Sequence, residues 1–265
     1  MTKTIVITGA TDGIGLETAK MLAAMGHTLL LHGRSQDKLE AVAETVSALD
    51  GAGEIKTYRA DLSDLTQVRG LAQAIKSDVS AIDVLINNAG VFKLAEPQTK
   101  DGYDARFVVN VVAPFSLTND LLPLLGSEGR VVNLSSAAQA PVDIQGFLSK
   151  RSFTDSEAYA QSKLALTMWS FELARVVGDA GPMIVAVNPA SFLGSKMVKE
   201  AYGHVGHDLR IGADILVRAA LSEEFADASG RYYDNDVKRF ADPHPDAQDA
   251  VKSKDVIAAI EKLIA

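Results

Sequence analysis

The chain predicts an α/β fold, a doubly wound and mostly parallel sheet with helices packed on both faces. Three observations predict it. Apolar runs of strand length alternate with segments of helical periodicity along most of the 265 residues. Those runs are apolar almost throughout and do not alternate with polar residues, as expected of strands buried on both faces. The first of them enters a glycine-rich loop that opens a helix, "TGATDGIG" at 8–15.

Taken in order, "KTIVITGA" (3–10) is a short β-branched run ending in glycine, hence a buried strand. "IGLETAKMLAAMG" (14–26) has helical spacing and stops at Gly26, a C-terminal signal. "HTLLLHGR" (27–34) is a second buried strand, and "QDKLEAVAETVSALD" (36–50) an amphipathic helix. "EIKTYRADL" (54–62), "TQVRGLAQAIKS" (66–77) and "AIDVLINNAG" (81–90) continue the alternation as strand, helix and strand. A helical region covers about 99–125, with Pro114 expected to break it in two. "GRVVNLSS" (129–136) is a fifth strand, 156–178 a long helix and "PMIVAVNP" (182–189) a sixth strand. "GADILVRAAL" (212–221) is helical, and "GRYYDND" (230–236) reads as a last short strand.

No low-complexity tract or linker interrupts this pattern, so residues 1–265 read as one domain. The segment 137–155, with Pro141, Phe147 and Phe153, is long for a strand–helix loop and reads as a flap. The segment 190–210, with Gly194, Gly203 and Gly206, reads as a lid.

Composition removes several function classes. There are 26 basic and 34 acidic residues, a net charge of −8, with no dense Lys/Arg cluster, which argues against a nucleic-acid partner. Without cysteine there is no disulfide framework, thiol nucleophile or Cys-based zinc site. No uninterrupted apolar stretch approaches the length of a membrane span, and the first apolar run is too short for a signal segment, so the expected location is cytoplasmic. The histidines at 27, 32, 204, 207 and 244 form no ligand cluster; they are expected as solvated loop residues, with no metal. Met168 and Trp169 are expected in a core or a subunit contact.

The glycine loop carries the first functional signal. Gly9, Gly13 and Gly15 allow a tight turn, close approach of a ligand to the backbone, and helix–strand packing. The N–H groups at the helix start favour an anion. The spacing is G-x-x-x-G-x-G, not the more usual G-x-G-x-x-G. A ligand-free glycine turn has the same composition, but strand, loop and helix in this order at the chain start point to a Rossmann-type dinucleotide site. The second strand should then end at the adenosine ribose. An acid there suits NAD, and an arginine suits the 2′-phosphate of NADP. This chain has Gly33 and Arg34, which favours NADP, although Asp12 in the glycine loop opposes it unless it caps the helix and points away. Asp61 could accept from the adenine amino group or simply begin the next helix.

Tyr159 and Lys163, in "SEAYAQSKLAL" (156–166), lie four apart on a helix and so share a face. Alone, such a pair is ordinary surface decoration. Together with "TGATDGIG", "NNAG" (87–90), Asn110 in "VNVVAPF", "VVNLSS" (131–136) and "NPA" (188–190), it resembles the short-chain dehydrogenase/reductase family from end to end. Arg34, the long segment between Ser136 and Tyr159, and the tail "SGRYYDND" are most similar to its retinol-dehydrogenase-like branch.

The resemblance implies a seven-stranded sheet of order 3-2-1-4-5-6-7 and a catalytic tetrad of Asn110, Ser136, Tyr159 and Lys163, with Ser135 structural. It implies a cofactor, NADP rather than NAD, held by Gly9, Thr11, Asp12, Gly13, Ile14 and Gly15 and by Arg34 and Ser35. Asp61, Leu62, Asn88, Ala89, Gly90, Tyr159, Lys163, Pro189 and Phe192 complete that set. Asn87 either belongs to it or ties strands together. Alanine at 190 departs from the family's proline–glycine. The chemistry is consistent: a free phenol, with a pKa of about 10, is a poor base, and a nearby ammonium favours its phenolate. Ser136 would hold the substrate oxygen, and Asn110 a water linking Lys163 to solvent, or else the helix break. The implied activity is hydride transfer between NADP(H) and a carbonyl/alcohol pair. A silent NAD(P)-binding sensor is the alternative, although such a protein would be expected to lose Tyr159 or Lys163. Phe147, Phe153, Phe192, Met197 and Tyr202 suggest a fairly apolar small-molecule substrate. The expected assembly is a homodimer or homotetramer through the long helices.

Overall fold

A computed structural model of the chain describes residues 1–203 and 205–264, and the side chains of all of these but Glu200, Ala201 and Tyr202. His204 and the Tyr202 side chain, named above, lie outside the described residues. The first half runs β1 (Thr4–Ile7), α1 (Gly13–Ala24), β2 (Thr28–Gly33), α2 (Gln36–Ser47), β3 (Ile55–Arg59), α3 (Leu65–Asp78) and β4 (Val84–Asn87). It continues through α4 (Ala105–Phe107), a π-helical turn at Val108–Val112, α5 (Ala113–Leu121), β5 (Arg130–Leu134), α6 (Ile144–Leu148), α7 (Asp155–Val177) and β6 (Met183–Asn188). The chain then forms α8 (Lys196–Tyr202), α9 (Leu209–Leu221), β7 (Arg231–Asp234), β8 (Arg239–Ala241) and α10 (Ala250–Ile264).

The sheet order is β3-β2-β1-β4-β5-β6-β7-β8. Seven strands pair in parallel in the expected order, and β8 adds an antiparallel eighth at the edge, so the count of seven is corrected to eight. Alternate residues of one strand serve opposite cores. Val6 and Leu30 join the core beneath α3, α5, α7 and α10, while Ile5, Ile7, Leu29 and Leu31 join the core beneath α1 and α9. The chain goes from β1 to β2 on one side and returns to β4 on the other. The strand ends flanking this reversal form the crevice where a doubly wound sheet binds ligands.

Two expectations change. The helical region does not break at Pro114: a π turn, Val108–Val112, carries the irregularity, and Pro114 lies in the first turn of α5, where its missing N–H costs nothing. The run Ala105–Leu124 is long and apolar enough to cross a membrane, but 72% of it is buried within the fold. Finally, α10 packs along α7, in which every residue from Gln161 to Ser170 is buried. That stretch of α7 places Met168 and Trp169 in the core.

Candidate active site

The glycine loop joins β1 to α1 and leans on the end of β4. Gly9 has φ +66°, and a Cβ there would lie 2.8 Å from the Ala89 Cα. At Gly15 a Cβ would lie 2.3 Å from the Gly9 carbonyl oxygen. Asn88 Nδ2 donates to the carbonyls of Thr8 (2.8 Å) and Gly9 (3.0 Å), so this side chain holds the loop from below. Asp12 caps α1, accepting from Gly13 N–H at 2.8 Å, and lies 3.9 Å from Lys38. Among the described residues the N–H groups of Ile14 and Gly15 have no partner, which leaves an anion site at the helix start.

His32 is a correction. It is not a solvated loop residue but sits buried in β2 beneath the loop. Its Nδ1 accepts from Gly9 N–H (3.3 Å), so the proton is on Nε2, which donates to the Ala60 carbonyl (3.0 Å). Burial keeps its pKa below the ordinary value, consistent with this neutral tautomer. His27 is buried too, its Nδ1 accepting from Lys3 N–H. Among the described residues no three metal-ligating side chains converge.

At the end of β2, where the adenosine ribose is expected, a Cβ on Gly33 would meet Thr11 Cγ2 at 2.5 Å, so an acid at this position would displace Thr11. Arg34 is exposed next to it, and Ser35 begins α2 without capping it through its side chain. Asp61 Oδ1 accepts from both Ser63 N–H and Ser63 Oγ, while Asp64, not Asp61, caps α3; Leu62 is buried beside it.

Asn110, Ser136, Tyr159 and Lys163, the four residues expected to react together, all lie near the ends of β4 and β5. The capping box Thr154–Glu157 fixes the start of α7 and so places Tyr159 and Lys163. Tyr159 is half-buried and packs against Phe92, with ring centroids 4.8 Å apart. Lys163 Nζ lies 5.6 Å from the Tyr159 ring centre and donates to the Leu134 carbonyl at the end of β5 (2.7 Å). Complete burial pushes the Lys163 pKa down to about 8. Gly90 lies against both groups: a Cβ there would be in ordinary contact, 3.6 Å from Lys163 Nζ and 3.5 Å from Asn110 Oδ1. Ser136 is half-buried; its Oγ accepts from Ala138 N–H, and its carbonyl accepts from Tyr232 OH. Ser135, by contrast, is tied into α7 through Thr167.

Asn110 lies in the π turn, a frequent device at functional sites. Its side chain does not brace the chain before Pro114: Oδ1 accepts from Val91 N–H, and Nδ2 donates to the Val91 carbonyl and to Ser162 Oγ. Ser162 Oγ donates to the Tyr159 carbonyl, so Asn110 couples the strand-end loop to the turn that carries Tyr159. Asn87 resolves as a tie: its Nδ2 donates to Thr118 Oγ1 and Asn133 Oδ1, joining α5, β4 and β5.

After β6, Pro189 is buried, Ala190 takes φ +114° and Phe192 φ +53°. Conformations of this kind cost about 1–3 kcal/mol for a residue with a side chain. Leu193 and His207 then pair backbone to backbone, so the ends of the segment carrying α8 are strapped together. Sequence reasoning missed His32, Asn235 and Asp236; the one available signal for the last two was the Asp/Asn-rich turn after β7.

The short chain dehydrogenase family profile matches residues 3–205. Retinol dehydrogenase 13 of Homo sapiens is 32% identical, covering 99% of this chain and 84% of its own length. The crystal structure of an uncharacterized protein from Mycobacterium paratuberculosis has a TM-score of 0.82 at 30% identity, over 99% of this chain and 93% of that one. A short chain dehydrogenase from Escherichia coli CFT073, solved in complex with NADPH, has a TM-score of 0.71 at 25% identity, over 88% and 96% of the two chains. The chain therefore belongs to the short-chain dehydrogenase family, in its retinol-dehydrogenase-like branch, as an NAD(P)-dependent oxidoreductase acting on alcohol or carbonyl groups.

Proposed function

We propose that this enzyme exchanges a hydride between NADP(H) and a fairly apolar alcohol/carbonyl pair, with Tyr159 as the proton donor and acceptor. The observation that carries the reading is the placement of Tyr159 beside a fully buried Lys163 at the strand-end crevice, next to Gly90. A nicotinamide dinucleotide fits the groups present. Ile14 and Gly15 offer N–H donors to a phosphate, and the Lys163 ammonium lies at the end of β5 in the same crevice. Such a cofactor, when bound, supplies or takes the hydride. Lys163 then has two tasks: to hold a ribose hydroxyl, and to favour the Tyr159 phenolate through its charge. Ser136 orients the substrate oxygen and stabilises charge developing on it. Tyr159 passes the proton to or from that oxygen.

The preference for NADP rests on Arg34 and Ser35, two donors at the end of β2 beside the start of α2. Asp12 caps α1 through Gly13 N–H, the arrangement in which its carboxylate is compatible with a 2′-phosphate nearby. A charge-assisted bond contributes about 1.5–3 kcal/mol, or roughly 10- to 150-fold in affinity. Arg34→Ala should therefore weaken NADPH tenfold or more and leave NADH nearly unchanged in titrations at fixed salt. Equal loss for both, or tighter NADH binding by the native protein, would refute the preference.

The substrate side is apolar. Phe92 packs on the Tyr159 ring, and Phe192 is half exposed on the segment carrying α8. Retinol dehydrogenase 13 is named for an apolar alcohol, which supports the same class here. A panel of long-chain and short-chain aldehydes with each cofactor, followed by nicotinamide absorbance, tests the assignment; turnover only of small polar carbonyls would exclude it. Residues 190–210 are proposed to open as a lid about the Leu193–His207 strap. Hydrogen exchange should show α8 better protected with cofactor and substrate than without; equal protection in both states would remove the lid.

A further inference from the structure

The strain at Ala190 has a local counterpart in the turn that joins β7 to β8. Asp236 Oδ1 accepts from Ser191 N–H (2.8 Å), and its Oδ2 accepts from Ser191 Oγ (2.6 Å) and from Asn188 Nδ2 (2.9 Å). Asn235 Nδ2 donates to the Pro189 carbonyl (3.0 Å) and to the Ile211 carbonyl (3.3 Å), and its own N–H donates to the Asn188 carbonyl (3.1 Å). Asp234 Oδ1 completes the turn, accepting from Asn188 Nδ2 and from Asp236 N–H. The residues before and after Ala190 are thus each gripped by a side chain that comes from about 45 residues further along the chain.

Backbone strain persists only where the surrounding structure over-determines it. An alanine alone would leave φ +114° for the extended region, turning the Pro189 carbonyl and Ser191 N–H away from their present directions. We infer that Asn235 and Asp236 are positioning residues that hold Ala190 in its strained conformation and so set the nicotinamide end of the cofactor site. The inference rests on the proposed function and on the family resemblance, which implies that backbone groups near Pro189 and Phe192 bind the nicotinamide amide. It adds a role for the C-terminal hairpin, which lies beyond residues 3–205 of the family match. Glycine at position 190 would adopt this φ without strain, so the grip matters only because the residue is alanine.

The coupling is measurable with two cofactor probes. NADPH carries the nicotinamide; 2′-phospho-ADP-ribose lacks it but keeps the rest. Asp236→Ala should weaken NADPH about tenfold and leave 2′-phospho-ADP-ribose unchanged. Ala190→Gly in the native background should change little, yet in the Asp236→Ala background it should restore much of the NADPH affinity, a non-additive pair. Ser191→Ala removes only the hydroxyl grip and should show the same selective loss on a smaller scale, which keeps the test informative if Asp236→Ala folds poorly. Equal weakening of both probes, or no rescue by Ala190→Gly, overturns the clamp while leaving the dinucleotide site standing. Failure of the native protein to bind either probe overturns the proposed function and the clamp with it.

Discussion

Tyr159→Phe should lower turnover by about 10²–10⁴-fold while leaving NADPH affinity unchanged. The substitution removes one atom. The ring remains, and with it the contact with Phe92 at 4.8 Å between centroids, so the wall of the site keeps its shape. The start of α7 is fixed independently by the Thr154–Glu157 capping box and by the chain from Asn110 through Ser162 to the Tyr159 carbonyl. What disappears is the Tyr159 hydroxyl, the group proposed to pass a proton to the substrate oxygen. Single-turnover measurements with a fixed aldehyde would separate this loss from product release. A Phe variant that keeps most of its activity would remove Tyr159 from the chemistry. A native protein that binds NADPH but turns over no carbonyl in a broad panel would favour a silent sensor.

The sequence announced most of the sheet and less of what holds the site together. Strands β1, β2, β4, β5 and β6 were legible because each is buried on both faces and therefore apolar almost throughout, whereas the edge strand β3, IKTYR and mostly not buried, was legible from its place in the alternation. The edge strand β8 was not, since three residues following Lys238 at φ +56° carry no periodicity. Nor was α10, whose consequence lies in the face it covers on α7, a tertiary matter. The spacing put Tyr159 and Lys163 on one helix face, since one helical turn does so whatever else the fold does, but only the resemblance implied that they react together with Ser136 and Asn110. The supports were hidden for the opposite reason. His32 meets Gly9 and Ala60 across three strand ends, and Asp236 meets Ser191 across the last parallel pair. Such contacts depend on sheet order and register, which no local pattern encodes. The π turn at Asn110 shows the limit of local rules most clearly. Pro114 was read as the break, whereas the extra residue per turn falls one step earlier, around the side chain that binds Val91 and Ser162.

Lys163→Met should slow turnover and stabilise the cofactor-free protein at the same time. The kinetic half follows from charge. At about 5–6 Å and an effective dielectric near 20, an ammonium favours a phenolate by about 3 kcal/mol, roughly two pKa units. Losing it should slow the proton transfer about 100-fold. The stability half follows from burial. Lys163 falls from an ordinary 10.5 to about 8 on folding, for want of solvent. A folded-state pKa below the unfolded one means that below pH 8 the charged lysine is carried into the interior at a cost of about 3 kcal/mol. Methionine avoids that cost and fills similar space, but it leaves the Leu134 carbonyl without its 2.7 Å donor, a loss of about 1 kcal/mol. The net gain at pH 7 is about 2 kcal/mol, or roughly 4–8 °C in Tm. Between pH 8 and 10.5 the unfolded chain binds the proton that the folded chain has released, so the native protein gains stability as pH rises and the variant's advantage shrinks. Thermal unfolding of both proteins across pH 7 to 9.5, without cofactor, measures this difference directly. A variant that is less stable at pH 7, or an advantage that does not change with pH, would show that Lys163 is held for packing rather than at the expense of stability for its charge.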